Sequence, residues 1–151
     1  MYSAAYFDTP ETSLDDASIA KLDRICRKLD LSPGDSVMEI GTGWGSLAIY
    51  AAKHYGCHVT TTTISKQQHD YAQEAIHWEG LDDRIKLLFE DYRDLVGKFD
   101  KLLSVEMIEA VGHEYHGTFF QKCCDLLKSD GQMLLQAITI ADQRYEHYKT
   151  D

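Results

Sequence analysis

Short apolar runs alternate along the chain with longer segments in which apolar residues recur every three or four positions. The short runs predict β-strands, and the longer segments predict the helices between them. Strands separated by helices favour right-handed βαβ units, and therefore a parallel sheet with both faces covered. Strands are predicted at residues 36–40, 58–63, 85–89, 101–105 and 131–140, and helices from the glycine turn to about residue 55, at 66–79 and at 115–127.

One more helix is predicted before the first strand. Ser13, followed three positions later by Asp16, resembles a capping box at a helix start. The next apolar residues fall on one face of a helix, which predicts an amphipathic segment. They are Ile19, Leu22, Ile25 and Leu29.

Length and composition fit one domain spanning residues 1–151. The chain is 44% hydrophobic and 26% charged, without a repeat or a linker. Its longest uncharged stretch, residues 40–52, is shorter than the ~20 residues that a membrane helix needs. The first residues carry no basic segment of the kind that opens a secretory signal. These features predict a cytoplasmic protein.

Charge and cysteine usage exclude other classes. The 15 basic and 25 acidic residues give a net charge of −10, which argues against binding nucleic acid or an anionic membrane by charge alone. No CxxC pair is present, so we expect free, buried thiols at Cys26, Cys57, Cys123 and Cys124. His113 and His116 lack the i,i+4 spacing of an HExxH helix, so no metal site is predicted.

The glycine-rich turn after the first strand is the most informative segment. Gly41, Gly43 and Gly45 would let backbone N–H groups at a helix start approach a ligand closely. The spacing is GxGxG, and Ser46 stands where the dinucleotide fingerprint needs glycine. Glu39 favours a ligand that offers donors or positive charge. The ammonium and sulfonium groups of S-adenosylmethionine fit this description, while a turn without a ligand remains the alternative.

The second strand lacks the terminal acid that commonly holds ribose hydroxyls. Its end reads Thr60 to Thr63, without a carboxylate, which argues strongly against an NAD enzyme and more weakly against a general methyltransferase. Thr63 and Gln68 could still supply hydroxyl and amide hydrogen bonds to a ribose.

Six segments together resemble the cyclopropane-fatty-acyl-phospholipid synthases and mycolic acid cyclopropane synthases. The resemblance covers essentially the whole chain in the right order. The segments are YSAAYF (2–7), EIGTGWGSLA (39–48), VT (59–60) with TIS (63–65), DYRD (91–94), SVEMIEAVG (104–112) and LLQAIT (134–139).

This resemblance implies an α/β fold: a Rossmann-like class I methyltransferase sheet with helices on both faces. It also implies methyl transfer from S-adenosylmethionine to the double bond of an unsaturated phospholipid or acyl chain, forming a cyclopropane ring. After methyl transfer, a base must remove a proton to close the ring. In the family, a bound bicarbonate is thought to act as that base, held by a glutamate and neighbouring groups.

The resemblance also assigns roles to individual positions. Glu109 matches the bicarbonate-binding glutamate, whereas Ala4 and Gln136 stand where many members have Cys and His. Gln136 can donate a hydrogen bond but cannot titrate, and the contact at Ala4 is thought to be made by the backbone. Independently of the resemblance, the place of Glu106 closer to the strand end predicts that it supports the ligand-contacting residues, with a direct role as the alternative. The implied cofactor-binding residues are Tyr2, Ser3, Glu39, Gly41, Gly43, Gly45, Thr63, Ile64, Gln68, Asp91 and Tyr92.

Two rival functions remain at this stage. One is a methyltransferase that acts on a non-lipid acceptor, and the other is a non-catalytic fragment that only binds cofactor. Family chains are considerably longer, so the sheet is expected to be truncated after the fifth strand. We therefore expect peripheral membrane contact only through segments not present. Residues 131–140 would then form an uncharged strand edge through which two copies could associate.

Overall fold

The computed structural model describes residues 3–148, and its central element is one parallel sheet of five strands. The strands lie in the order β3-β2-β1-β4-β5, and every neighbouring pair is parallel. This confirms the predicted α/β class and the number of strands. The bounds are β1 (Ser36–Ile40), β2 (His58–Thr62), β3 (Ile85–Leu88), β4 (Phe99–Val105) and β5 (Leu127–Gln136).

Helices cover both faces of this sheet, as predicted. One apolar cluster joins one face of the sheet to α1, α2 and α3, and a second cluster joins the opposite face to α4. Neighbouring strand residues alternate between the two clusters: Val37 belongs to the first and Met38 to the second. Because both faces are buried, apolar residues occupy consecutive positions in the central strands, as at Val37–Met38 in β1 and Leu102–Leu103 in β4. The helices are α1 (Leu14–Lys28), α2 (Ser46–Tyr55), α3 (Lys66–Trp78), α4 (His116–Leu126) and the single turn α5 (Tyr145–Tyr148).

The start of α1 confirms the predicted cap. The Ser13 hydroxyl accepts a hydrogen bond from the Asp16 backbone N–H at 3.1 Å and donates one to the Asp16 carboxylate at 2.6 Å. Leu22 and Ile25 lie in the core, but Ile19 is 53% exposed. The prediction for Ile19 was wrong, because the buried stripe is centred on Leu22 and Ile25 and leaves Ile19 beyond its edge.

The fifth strand was predicted four residues too late. It begins at Leu127, whose partner is Phe99, and an irregularity follows before Gln132 pairs with Lys101. It ends at Gln136, opposite Val105, where β4 also ends. The apolar residues beyond that point, including Ile138, are therefore exposed rather than part of the strand.

A polar cluster stabilises the end of the sheet at which β1 begins. The Asp100 carboxylate accepts hydrogen bonds from the Ser36 backbone N–H at 2.9 Å and the Ser36 hydroxyl at 2.6 Å. The Lys128 ammonium lies 2.7 Å from the other carboxylate oxygen. The Lys128 and Ser36 hydrogen bonds hold the pKa of the Asp100 carboxyl well below its usual range. This cluster joins β1, β4 and β5 at the end of the strands opposite the glycine turn.

All four cysteines are free thiols, in line with the prediction. Cys26, Cys57 and Cys123 are buried, and burial raises the pKa of each thiol. Cys124 is exposed, so the expectation of burial was wrong for that residue. It lies on the side of α4 away from Phe119 and Cys123, which face the sheet.

The outer edge of β5 is the structural feature that bears on self-association. Among the described residues, β5 pairs only with β4, so its second edge is unpaired. The expectation of an edge without charge or irregularity was wrong, because the strand includes Lys128 and Asp130 and its ladder is interrupted there. The uncharged edge is therefore shorter than predicted and comprises Gly131–Gln136.

We predict that the 151-residue chain self-associates through Gly131–Gln136 in a concentration-dependent manner, because an uncharged unpaired edge is a template for strand pairing. Light scattering over a range of protein concentrations measures the mass directly. A mass that stays at the monomer value at every concentration would contradict the prediction.

Candidate active site

The glycine turn lies at the carboxyl end of β1 and has a left-handed backbone at each glycine. The φ angles of Gly41, Gly43 and Gly45 are +102°, +52° and +83°. A Cβ atom at Gly43 would meet no atom within 4 Å, so this residue faces open space. A Cβ atom at Gly45 would lie 3.2 Å from the Ala72 Cβ, so Gly45 allows α2 to pack closely on α3.

A cleft of about 350 Å³ opens above this turn, and we call it the glycine cleft. It lies where the strand order reverses between β1 and β4, which is the usual ligand position in open parallel sheets. Its walls come from the N-terminal segment, α1, the turn and the segment that follows β4. The residues used below are Ser3, Lys21, Glu39, Gly41, Gly43, Gln68, Glu106, Glu109 and Ile138.

A second cleft, of about 460 Å³, adjoins the first, and we call it the tyrosine cleft. The two clefts share Gly41, Gln68 and Met107, so one extended ligand could occupy both. The ends of β2 and β3 line the second cleft. Its predicted site residues are Thr63, Ile64, Gln68, Asp91 and Tyr92.

Glu39 is the buried acid of the glycine cleft. Only 3% of the residue is exposed, and its carboxylate accepts a hydrogen bond of 2.5 Å from the Thr61 hydroxyl. The Thr61 hydroxyl lies in turn 2.7 Å from that of Thr42. Burial raises the pKa of the Glu39 carboxyl to about 8, and the Thr61 hydrogen bond opposes this rise. A bound cation would favour the ionised form of this carboxyl.

Polar groups at the end of β2 replace the missing ribose-binding acid. The Thr63 hydroxyl donates to the Gln68 side-chain oxygen at 2.8 Å and accepts from the Ser65 backbone N–H at 3.1 Å. The Gln68 side-chain nitrogen makes no hydrogen bond within the described chain. It therefore remains a donor for a ligand. Ile64, 73% exposed, supplies an apolar wall beside it.

Asp91 and Tyr92 differ in the contacts that their side chains make within the protein. The Asp91 carboxylate accepts hydrogen bonds from the Arg93 backbone and guanidinium at 2.7–2.9 Å, and this keeps the pKa of Asp91 low. Asp91 therefore begins the turn at Tyr92–Asp94. The Tyr92 ring packs edge-on against Phe119 with centroids 5.5 Å apart, which fixes the ring in the cleft wall.

Glu106 connects two positions that the resemblance assigned to catalysis. Its Oε1 accepts hydrogen bonds from the Ala4 backbone N–H at 3.0 Å and from the Gln136 side-chain nitrogen at 2.7 Å. Its own backbone N–H donates to the Gln136 carbonyl at 2.8 Å. Glu106 is also strained, because its φ is +49° in a region that glycine favours.

Lys21 brings a buried cation into the same cleft. The residue is only 5% exposed, and its ammonium donates a hydrogen bond to the Ser3 hydroxyl. Burial lowers the pKa of Lys21, and the negative charge of Glu106 opposes that effect. Sequence reasoning missed this residue. The available signal was its position four residues after Ala17 and four before Ile25, on the buried face of α1.

Glu109 lies in the helical turn Ile108–Ala110, one turn after Glu106. Its Oε1 accepts a hydrogen bond of 2.6 Å from the Ile138 backbone N–H, which holds the segment after β5 against the cleft. Glu106 and Glu109 therefore both line the glycine cleft. This places two carboxylates beside the position of a ligand on the glycine turn.

The structure brings most of the predicted site residues together. Ser3, Glu39, Gly41, Gly43, Gln68 and Glu109 line the glycine cleft, and Thr63, Ile64, Asp91 and Tyr92 line the tyrosine cleft. Gly45 lines neither cleft, because it packs against α3. Ala4 and Gln136 line a neighbouring groove and reach the glycine cleft through Glu106. Tyr2 lies outside the described residues.

Among the described residues 3–148, no group of three His, Cys, Asp or Glu side chains could hold a metal ion, and His113 contacts Glu114 at 3.2 Å. Over the same residues, no helix is long and apolar enough to cross a membrane.

The implied bicarbonate does not fit the donors of this chain. On the resemblance, Glu109 would hold it together with the Ala4 N–H and the Gln136 amide. Both of these donors already donate to Glu106, and Glu109 Oε1 already accepts from the Ile138 N–H. An added anion there would lie beside the Glu106 and Glu109 carboxylates, with Lys21 as the nearby cation.

The strand order, the glycine turn after β1 and the adjoining clefts define a class I S-adenosylmethionine-dependent methyltransferase fold. The profile of the family described as mycolic acid cyclopropane synthetase matches residues 1–151. The chain belongs to this family.

Individual relatives agree with this assignment. The chain is 44% identical over 137 residues to the cyclopropane-fatty-acyl-phospholipid synthase of Escherichia coli K12, a match that covers 91% of this chain and 35% of that protein. It is 41% identical over 140 residues to a probable fatty acid methyltransferase of Pseudomonas putida, covering 91% of this chain and 36% of the relative. The mycolic acid cyclopropane synthase CmaA1, solved with SAH and CTAB, superposes with a TM-score of 0.90 at 32% identity, covering 97% of this chain and 52% of that one. The chain thus spans about a third of these two relatives and half of the solved structure.

The buried Glu39 carboxyl predicts a pH dependence of stability. Its folded pKa of about 8 lies above the ordinary value of 4.5, so the folded state binds more protons between these values. Stability should therefore fall as pH rises through this window, by up to ~1.4 kcal/mol per pH unit for this group. Glu39→Gln removes this contribution while keeping an oxygen for the Thr61 hydroxyl.

Urea unfolding at several pH values between 5 and 8 measures this difference. Glu39→Gln should lose stability less steeply than the unsubstituted chain as pH rises. Glu74→Gln, on the exposed side of α3, is the matched control and should keep the original slope. Parallel curves for the Glu39→Gln and unsubstituted chains would contradict the prediction.

Proposed function

We propose that the protein transfers a methyl group from S-adenosylmethionine to the double bond of an unsaturated acyl chain, usually on a phospholipid, to form a cyclopropane ring. The observation that supports this most directly is the pair of adjoining clefts around Gly41, with the buried acid Glu39 at one end. Family membership supports the same reaction class. A cytoplasmic location stays a prediction.

The residues of the two clefts suit each part of this cofactor. Gly43 leaves the backbone open to the methionine part, Gly41 lines the same cleft, and Glu39 provides the negative charge that an ammonium group requires. Gln68 offers its unused amide donor where the two clefts meet. Tyr92 and Ile64 supply the flat and apolar walls that suit an adenine ring. When bound, S-adenosylmethionine supplies a methyl group on a positively charged sulfur.

The acceptor chemistry sets further requirements that these residues meet in part. An alkene is a weak nucleophile, so it needs close alignment with the donor and exclusion of water. Positive charge then develops on the acyl chain, and the carboxylates of Glu106 and Glu109 lie in the cleft where they would stabilise it. We propose that an unsaturated lipid reaches this end of the cleft.

Mass spectrometry of lipids from cells that express the protein tests the reaction. We expect unsaturated acyl chains to gain the mass of one methylene group, with loss of the double bond. Cells that express the Gly43→Val variant are the control for host activity. Methylation of a non-lipid molecule instead would favour the alternative acceptor class, and cofactor binding without a methylated product would favour a binding domain.

The role of the glycine turn gives a separate prediction for binding. Gly43→Val should weaken SAH binding at least tenfold, because its side chain would enter the space above the turn. Gly80 is the matched control, since it also has a positive φ, +65° against +52°, and a Cβ atom there would likewise meet nothing within 4 Å. Calorimetry with SAH should give nearly unchanged affinity for Gly80→Val. Equal losses in both variants would mean that the turn has only a structural role.

A further inference from the structure

We propose that Glu106 is the base that closes the cyclopropane ring, so that the chain carries its own proton acceptor and needs no bound bicarbonate. This inference rests on the proposed function. It assigns a catalytic role to a residue for which the sequence left a supporting role and a direct role open.

The position of Glu106 is fixed from two sides. One donor, the Ala4 N–H, comes from the N-terminal segment, and the other, the Gln136 amide, comes from the end of β5. Both contact Oε1, while Oε2 makes no hydrogen bond within residues 3–148. Glu106 lines the glycine cleft. Its Oε2 is therefore available beside the proposed methyl donor, while the hydrogen bonds to Oε1 fix the carboxylate in place.

The backbone at Glu106 also indicates a functional constraint. A non-glycine residue at φ +49° costs about 1 kcal/mol or more, and such strain is concentrated at functional sites. Asp30 is the one other non-glycine residue with a positive φ in the described chain, at +52°, and it lies in the turn after α1. At Glu106 the strained backbone places the carboxylate where it accepts hydrogen bonds from two donors. The position of this carboxylate therefore explains why a residue other than glycine stands there.

The proton transfer balances with this one group. After methyl transfer, the acyl chain carries a positive charge next to the carbon that bears the new methyl group. The Glu106 carboxylate accepts a proton from that methyl group. The electron pair of the broken C–H bond forms the last C–C bond of the ring and cancels the positive charge. Glu106 then returns its proton to solvent.

The hydrogen bonds to Glu106 suit this role. Two N–H donors hold the carboxylate in one orientation and leave Oε2 without a hydrogen-bond partner among the described residues. A weak base is sufficient, because the nearby carbocation makes the C–H bonds of the new methyl group acidic and ring closure cancels the positive charge. Glu109 is placed differently: its Oε1 is committed to the Ile138 N–H at 2.6 Å, and the residue is exposed.

The variant Glu106→Gln tests the proposal without disturbing the geometry. A glutamine oxygen can accept the same two hydrogen bonds from Ala4 and Gln136, so the fold and SAH affinity should be preserved, the latter within about threefold. The amide cannot accept the proton, and ring formation should fall at least ~10²-fold. The cation should then be captured by water or lose a different proton, so methylated alcohols and branched alkenes should replace the ring among the products.

Asp30→Asn is the matched control, because it makes the same carboxylate-to-amide change at a left-handed position outside both clefts. It should keep the rate and products of the unsubstituted protein. A second arm measures ring formation in buffer freed of carbon dioxide and bicarbonate. We expect the unsubstituted protein to work equally well in that buffer and after bicarbonate is added back.

The two arms separate the possible failures. One outcome contradicts the role of Glu106 but leaves the proposed function intact. In that outcome the unsubstituted protein forms the ring only when bicarbonate is present, and the Glu106→Gln variant still forms it. Failure of the unsubstituted protein to methylate unsaturated lipids would overturn the proposed function and this inference with it. A Glu106→Gln variant that loses SAH binding in parallel with ring formation would show that Glu106 positions the cofactor, which also overturns its role as the base.

Discussion

The close approach of chain segments at the carboxyl end of β1 depends on a backbone that only glycine adopts without strain. Three left-handed glycines within five residues allow the chain to leave the sheet, leave open space beside Gly43 and start α2 against α3. A Cβ atom at Gly41 would meet the Met107 side chain at 3.3 Å, which brings the segment after β4 close to this turn. Both clefts open where the turn, which carries no side chain at Gly41, meets the Met107 side chain.

The two ends of the parallel strands differ in their polar groups. At the end where the strands begin, the hydrogen-bonding capacity of Asp100 is used by Ser36 and Lys128, and this polar cluster stabilises the order of β1, β4 and β5. At the carboxyl end, Glu39, Gln68 and Glu106 retain unused charge or hydrogen-bonding capacity around the clefts. The polar cluster that holds the strands together at their amino ends therefore lies opposite the clefts at their carboxyl ends.

Sequence reasoning succeeded where the determining interactions are local. The glycine turn, β1 and the cap of α1 depend on neighbouring residues, and they were predicted closely. The start of β5 was not, since Lys128 to Asp130 look like a loop until pairing with β4 draws them into the strand. The cluster around Glu106 was even less accessible, because it joins Ala4, Glu106 and Gln136 across more than 100 positions. Lys21 was overlooked because a single lysine on an amphipathic helix ordinarily lies in solvent.

The left-handed backbone at position 106 has a consequence for how this site can change in evolution. Glutamate and glycine codons differ by one nucleotide, and glycine is the residue that this backbone accommodates most easily. A single mutation could therefore replace a strained residue with a relaxed one, and the relief of backbone strain would offset part of the loss of the hydrogen bonds to Ala4 and Gln136. At this position the sequence can gain or lose a carboxylate by one nucleotide change, so related chains have a short route to a different mechanism on the same fold.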